Sequence, residues 1–331
     1  IDDLFIEEDP PKTHAALAAD AEAERQRLLI DATAKANREL AEARKKKSKI
    51  KLNFQIPLRT DFPPLKTDFS SYPDSVMNIA FDGARVLRDG KPVMMLGAEM
   101  LDPYTMKMFG LDYWVKSAFL NFLEVRQGKG VMTLSPPPRY PFLESELKHC
   151  LNNGIPVWID LLTGNGGRAR PIMQAFPELF TTGGHFFAWN QERPESRAIL
   201  RSLWKSVLDQ SRKYPILFYE MFNEVVYEDK SPANIARFQK VLKEKYRTIE
   251  ALNRACGTDF ASFSEAAPQG YRGVQDLLKP QSENLKAEWT RFTEKRFAEI
   301  ADESYAFFRK AVTPYSKISF QSVCGFPDYT D

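Results

Sequence analysis

Tyr214-Pro215-Ile216-Leu217-Phe218-Tyr219-Glu220-Met221-Phe222-Asn223-Glu224 decides the fold. It is an apolar run of strand length that closes on two polar residues, Asn223 and Glu224. Pro215 suits the first position of a strand, and Phe and Tyr fit a pleated surface. Continuous hydrophobicity, rather than alternation, predicts a strand covered on both faces, as in a parallel sheet inside a ring of helices. A carboxylate at the C-terminal end of such a strand stands where barrel enzymes place their chemistry.

The same rhythm repeats on either side. Residues 194–213 predict a helix with Ile199, Leu200, Leu203, Trp204, Val207 and Leu208 on one face. Before it, residues 155–161 predict a third strand, preceded by a helix over 144–153 that stops at Asn153-Gly154. Residues 118–126 predict the second strand and 92–99 the first, with a helix over about 103–116 between them. The turns Asp82-Gly83 and Asp89-Gly90 predict hairpins over 78–92. Downstream come a helix over 232–246, a short helix and capped loop over 247–263, a long amphipathic helix over 282–312 and a fifth strand over 317–324. Repeated strand–helix–strand units argue for a parallel α/β fold. The expected fold class is therefore α/β, a (β/α)8 TIM barrel.

Residues 1–75 do not share this pattern and are expected to form an N-terminal helix and extended linker, leaving 76–331 as the barrel domain. An acidic head (Asp2, Asp3, Glu7, Glu8, Asp9) precedes residues 13–49, which are rich in strong helix formers. Leu28, Leu29, Ala32, Ala36, Leu40 and Ala43 give a thin apolar stripe, so this helix is expected to be mostly solvated and to dock lightly. Its basic end, Arg44-Lys45-Lys46-Lys47, suits a helix C-terminus. Residues 50–74 carry Pro57, Pro63, Pro64 and Pro73 and predict an edge strand followed by an extended linker.

Composition removes several classes of function. The chain has 331 residues, 43% of them apolar, enough for a sizeable core. Its net charge of +2, from 46 basic and 44 acidic residues, argues against nucleic acid as a partner. No apolar run approaches the roughly 18 residues of a membrane-spanning helix. Cys150, Cys256 and Cys324 are odd in number and far apart, and His14, His149 and His185 are scattered, so neither a disulfide framework nor a metal site is expected. Gly164, Gly166 and Gly167 lie near Arg168 and Arg170 but lack the Gly-Lys-Ser/Thr of a phosphate loop, and predict an active-site loop instead. The sequence begins at Ile1 rather than Met, so the native N-terminus is expected upstream and the compartment is not readable.

Strand four ending in Asn223-Glu224 resembles the clan A glycoside hydrolases, in which that pair carries the acid/base carboxyl. The following run, Phe238, Lys245-Tyr246, Thr248-Ile249-Glu250-Ala251-Leu252-Asn253, Gly257-Thr258 and Phe263, is similar to the family 42 β-galactosidases. The hairpin leading into Gly97-Ala98-Glu99 also resembles the entry strand of galactosidase-type barrels. The resemblance covers about residues 78–329. It implies a retaining glycoside hydrolase acting on β-galactosides or related poly- and oligosaccharides, with no cofactor beyond carboxylates and water.

Retaining chemistry needs two carboxyl groups about 5 Å apart across the scissile bond, one of them held protonated near neutral pH. The resemblance gives Glu224 that acid/base role and Asn223 the hydroxyl beside the anomeric carbon. Glu99, Arg126 and Asp160 are expected to close their strands at the barrel rim, as sugar contacts or as structural groups. Trp189 and Tyr227 follow strands three and four, placed either to stack on pyranose faces or to pack. Glu220 and Phe222 share strand parity with Glu224, so Glu220 is expected to face the lumen with a partner such as Arg126.

The family's nucleophile is a Glu at the end of strand seven, yet no Glu follows Glu303. Strands six to eight are therefore expected outside this sequence, as though the barrel were truncated after strand five. An open sheet edge of that kind calls for the remainder of the barrel or a homo-oligomer. A second reading stays open: a non-catalytic carbohydrate-binding or assembly protein on the same barrel. An agarase or mannanase would share the mechanism and differ in loops.

Overall fold

In the computed structural model the described residues are 51–54, 62–65, 67–83, 85–99, 101–118, 124–128, 131–135, 143–161, 170–181, 183–185, 189–223, 225–268 and 282–319, with helical positions at 24, 27, 31 and 35. The chain divides into two compact units, residues 1–48 with 269–280 and residues 49–268 with 281–331. In the first, Glu24, Arg27, Asp31 and Lys35 are helical and exposed. Their spacing sets them along one face of the helix.

The second unit begins with β1 (Lys51–Phe54), a short helix α1 (Asp74–Met77) and a meander of β2 (Ile79–Asp82), β3 (Arg85–Arg88) and β4 (Lys91–Val93). Then follow β5 (Gly97–Glu99), α2 (Pro103–Met108), β6 (Tyr113–Ser117), β7 (Glu124–Gly128), β8 (Val131–Ser135), α3 (Leu143–Asn152) and β9 (Val157–Asp160). The remainder comprises α4 (Arg170–Ala175), β10 (Gly183–His185), α5 (Pro194–Ser211), β11 (Ile216–Glu220), β12 (Val226–Glu228), α6 (Pro232–Tyr246), α7 (Ile249–Cys256), α8 (Glu283–Ala311) and β13 (Lys317–Ser319).

Five strands form the central sheet in the order β13-β11-β9-β6-β5. All four pairings are parallel. Spatial order thus equals chain order, the winding of a (β/α)8 barrel rather than of a doubly wound sheet. Among the described residues no strand pairs with the outer side of β5 or of β13, so the barrel is not closed.

Local chemistry sets the helix boundaries. Asp102 accepts from the backbone N–H groups of Tyr104 and Thr105 at 2.9 and 3.1 Å, and Pro103 opens α2. Ser231, Thr248 and Ser282 cap α6, α7 and α8 in the same way. A cap of this kind contributes about 1 kcal/mol. Gly257, with φ +64°, ends α7 in the left-handed conformation that glycine favours.

Three strand expectations are corrected. Strand one is Gly97–Glu99 rather than 92–99, because Lys91–Val93 pair antiparallel with β3 in the meander. The predicted helix over 103–116 ends at Met108, because Gly110 takes φ +66°. Gly110 N–H then donates to Lys107 O and Leu111 N–H to Met106 O, the paired bonds of a Schellman stop. The chain is released early, so strand two is Tyr113–Ser117 rather than 118–126. Residues 124–128 belong elsewhere: β7 pairs antiparallel with β8, and β8 pairs parallel with β1, in a separate three-stranded sheet. Arg126 is therefore not at the end of a barrel strand. Strand four ends at Glu220, four residues before its expected end at Glu224, and the part of the predicted fifth strand beyond 319 lies outside the described residues.

The central sheet has two apolar faces. On the helix side, Tyr219 donates its hydroxyl to Ser211 of α5 at 2.9 Å, and Trp204, Phe308, Leu147 and Leu151 are fully buried. On the inner side a ladder of rings runs from Tyr113 to Trp158 (5.5 Å), Phe218 (4.8 Å) and Phe81 (5.1 Å). Phe81 comes from the β2–β4 meander, which thereby joins the inner face.

Gly97 is required by this ladder. A Cβ at position 97 would overlap the Tyr113 ring, which is stacked on Trp158. Gly97→Ala is expected to cost about 1–3 kcal/mol, as overpacking does. The check is urea unfolding; an unchanged midpoint would mean that the Tyr113 ring swings aside freely.

Candidate active site

The C-terminal ends of the five parallel strands carry Glu99, Ser117, Asp160, Glu220 and Ser319. Asp160 is the register partner of both Ser117 and Glu220, and Glu220 that of Ser319. Side chains two apart on a strand share a face. Trp158 and Phe218 line the inner ladder, so Asp160 and Glu220 point inward above them. Neighbouring strands lie about 4.8 Å apart, which makes the row a nearly continuous polar rim over an aromatic floor.

Burial grades along that row. Asp160 is 5% exposed and Glu220 4%, whereas Glu99 is exposed and accepts a hydrogen bond from the Ser117 hydroxyl. The negative charge of Glu220 reaches the floor. Burial first, then Glu220 and Asp112, push the Tyr113 hydroxyl above the usual phenol range. A rim of carboxylates and hydroxyls can accept hydrogen bonds from a polyhydroxylated ligand, and rings below it offer apolar contact.

Glu99 and Asp160 stand at the rim, brought together through Ser117. Asn223 is half-buried, three residues past the end of β11. Glu224 lies outside the described residues, between Asn223 and a fully buried Val225. The Arg126 side chain also lies outside them; its strand is in the three-stranded sheet.

Trp189 is buried, with its ring 4.7 Å from that of Phe180. Tyr227 is buried in β12 and stacks on Phe297 of α8 at 6.4 Å. Burial, followed by the charges of Asp229 and Glu192, drives its hydroxyl far above the ordinary range.

The expected parity of Glu220 and Phe222 does not hold. The last sheet bond is Met221 N–H to Ser319 O, at 2.9 Å. Beyond it the chain turns, and Phe222 packs against Trp204 of α5 and Phe297 of α8, each at 5.7 Å. Alternation ends where the strand ends, so parity cannot be carried to position 224.

Sequence reasoning missed Ser117 and Ser319 as rim residues. It also missed the ribbon formed by β10 and β12, which pair antiparallel with His185 opposite Val226. The ribbon ties the glycine-rich excursion after strand three to the segment that follows Glu224. The repeated glycines Gly183-Gly184 were the available signal, since they permit close backbone approach. Among the described residues no group of three or more His, Cys, Asp or Glu can hold a metal ion, and no helix is long and apolar enough to cross a membrane.

A sequentially wound parallel sheet with its polar rim at the strand C-termini defines a (β/α)8-type architecture. The family 42 β-galactosidase model matches residues 186–331, a stretch that contains Asn223-Glu224. The β-galactosidase of Rahnella sp. R3 is similar over 68% of this chain and 36% of its own, at 17% identity and a TM-score of 0.51. A family 42 exo-carrageenase from Bacteroides ovatus is similar over 79% of this chain and 35% of its own, at 18% identity and a TM-score of 0.47. The β-galactosidase of Bacillus circulans sp. alkalophilus is similar over 69% of this chain and 36% of its own, at 14% identity and a TM-score of 0.44. The chain thus spans about a third of the length of these solved structures. No curated protein sequence matches it. The chain resembles the family 42 β-galactosidases, within the clan A glycosidases.

Proposed function

We propose that this chain carries the acid/base half of a retaining glycoside hydrolase acting on β-galactosides or related poly- and oligosaccharides. One observation carries the reading: Asn223-Glu224 follows the fourth strand of a sequentially ordered parallel sheet and lies within the family 42 match. Glu224 donates the proton to the leaving oxygen, and Asn223 holds the hydroxyl beside the anomeric carbon. Glu99 and Asp160, on the rim, are the sugar contacts. The test is hydrolysis of a panel of aryl glycosides by the full-length protein, with the β-galactoside first. Turnover of the β-galactoside is the expected result.

A second reading is a carbohydrate-binding or assembly protein without catalysis. The rim itself favours it, since Glu99 and Asp160 above the Tyr113–Trp158–Phe218 rings can hold a sugar by hydrogen bonds and ring contact without any proton transfer. Binding of sugars with no hydrolysis of any member of the panel would select this reading and overturn the first.

We also propose that further barrel polypeptide covers the open edge at β5. Met94, Leu96, Tyr104, Met108 and Phe109 are exposed along residues 94–109, beside that edge. An exposed apolar cluster of this kind marks a contact surface. Residues 1–331 alone are expected to self-associate in light scattering, and Tyr104→Lys with Met108→Lys to reduce it. A parent that is already monomeric and binds no hydrophobic dye would show that the face needs no cover.

A further inference from the structure

Glu192 and Arg296, 104 residues apart, form a buried ion pair. Arg296 Nε donates to Glu192 Oε1 at 2.6 Å, and both side chains are only 5% exposed. Arg237 of α6 approaches the other Glu192 oxygen at 3.4 Å, and Arg296 also donates to Glu299 at 2.9 Å. Burying two charges costs more desolvation than a simple structural contact repays, so apolar residues would serve stability at least as well. What the pair does give is a fixed direction, because a guanidinium binds carboxylates in one geometry.

Both partners hold segments next to Glu224. Glu192 ends a tight turn in which its backbone N–H donates to Asn190 Oδ1 at 2.9 Å and Gln191 Nε2 donates to Trp189 O at 3.1 Å. That turn follows the excursion containing β10, which pairs with β12 immediately after Val225. Arg296 is followed by Phe297, whose ring meets both Tyr227 of β12 and Phe222, the residue before Asn223. One helical turn of α8 therefore grips the chain on each side of Glu224, and Glu192 is the charge that pins that turn.

We propose that Arg296 is a positioning residue: through Glu192 and the packing of Phe297, it fixes the segments flanking Glu224 and so the direction in which that carboxyl delivers its proton. The inference rests on the reading of Glu224 as the acid.

The test compares two β-galactosides with the same sugar, one with a poor aryl leaving group and one with a good one. A poor leaving group needs the proton and a good one does not. Arg296→Met alone would leave the buried Glu192 carboxylate with only the half-exposed Arg237, 3.4 Å away, as counter-charge, so the working variant is Glu192→Gln with Arg296→Met, which removes both charges; its folding is confirmed by circular dichroism. The full-length double variant is expected to lose at least about tenfold more kcat/KM on the poor leaving group than on the good one, and Arg296→Lys to lose less. A purely structural role lowers both rates in the same proportion. If Glu224→Gln separates the two substrates and the double variant does not, the positioning role is wrong and the acid stands. If Glu224→Gln does not separate them, or the parent hydrolyses neither, the acid reading fails and this inference fails with it.

Discussion

Glu224→Gln is expected to slow hydrolysis of a β-galactoside with a poor leaving group by about 10²–10⁴-fold, the usual contribution of a positioned general acid. Glutamine keeps the shape and the hydrogen-bonding oxygen but has no proton of the right acidity to give. At about 1.36 kcal/mol per tenfold, the loss corresponds to roughly 3–5 kcal/mol of transition-state stabilisation. A dinitrophenyl leaving group departs without protonation, so the glycosylation step of that substrate should be largely spared. The later step, in which the same carboxyl acts as base toward water, should still be slow, so glycosyl-enzyme should accumulate and kcat should fall together with KM. Steady-state kinetics on the two substrates reads out both effects. Equal loss on both would show that Glu224 supports the fold rather than protonates the leaving group, and no loss would place the acid elsewhere.

The start of strand four and the helices over 194–213, 232–246 and 282–312 were legible because each rests on local chemistry. The apolar run after Pro215 has strand length, an opening proline and aromatic enrichment, which together favour a strand buried on both faces, and Ser231, Thr248 and Ser282 stand where their helices start. Strand two was misread for an equally local reason. Tyr113 to Ser117 carries a lysine and reads as the tail of the preceding helix, while one left-handed glycine, Gly110, decides otherwise. Arg126 was carried along with that shift. The end of strand four was harder still, because Met221 and Phe222 are as apolar as the strand before them. Only the turn of Phe222 onto Trp204 and Phe297 separates them. The Glu192–Arg296 pair had no sequence signal at all, since it joins a loop to a helix across 104 residues. Asp160 at the rim followed from the strand count; its register with Glu220 needed the paired sheet.

Trp204→Ala is expected to destabilise the chain by about 3–5 kcal/mol, the range for truncating a buried aromatic residue. The indole is 1% exposed. It meets Phe308 at 5.1 Å, Phe222 at 5.7 Å and Phe307 at 6.1 Å, so it fills the space between α5, α8 and the chain just past β11. Rigid helices on either side leave little room for collapse, which keeps the cost toward the upper end. For a domain stable by about 5–15 kcal/mol, this is a large fraction of the total. It should lower the melting temperature by about 5 °C. Tyr305, on the same α8 and 48% exposed, is the control: Tyr305→Ala should stay within about 0.5 kcal/mol. The consequence reaches the candidate site through Phe222. Without Trp204 its ring loses an aromatic wall, and Asn223 is the next residue. Trp204→Ala assayed well below its melting point should therefore lose sugar affinity as well as stability, whereas a destabilised but unaltered site would bind as the parent does. Sugar affinity equal to the parent's would show that Phe222 keeps its place without Trp204, with Phe297 of α8 among the contacts that hold the chain leading into Asn223.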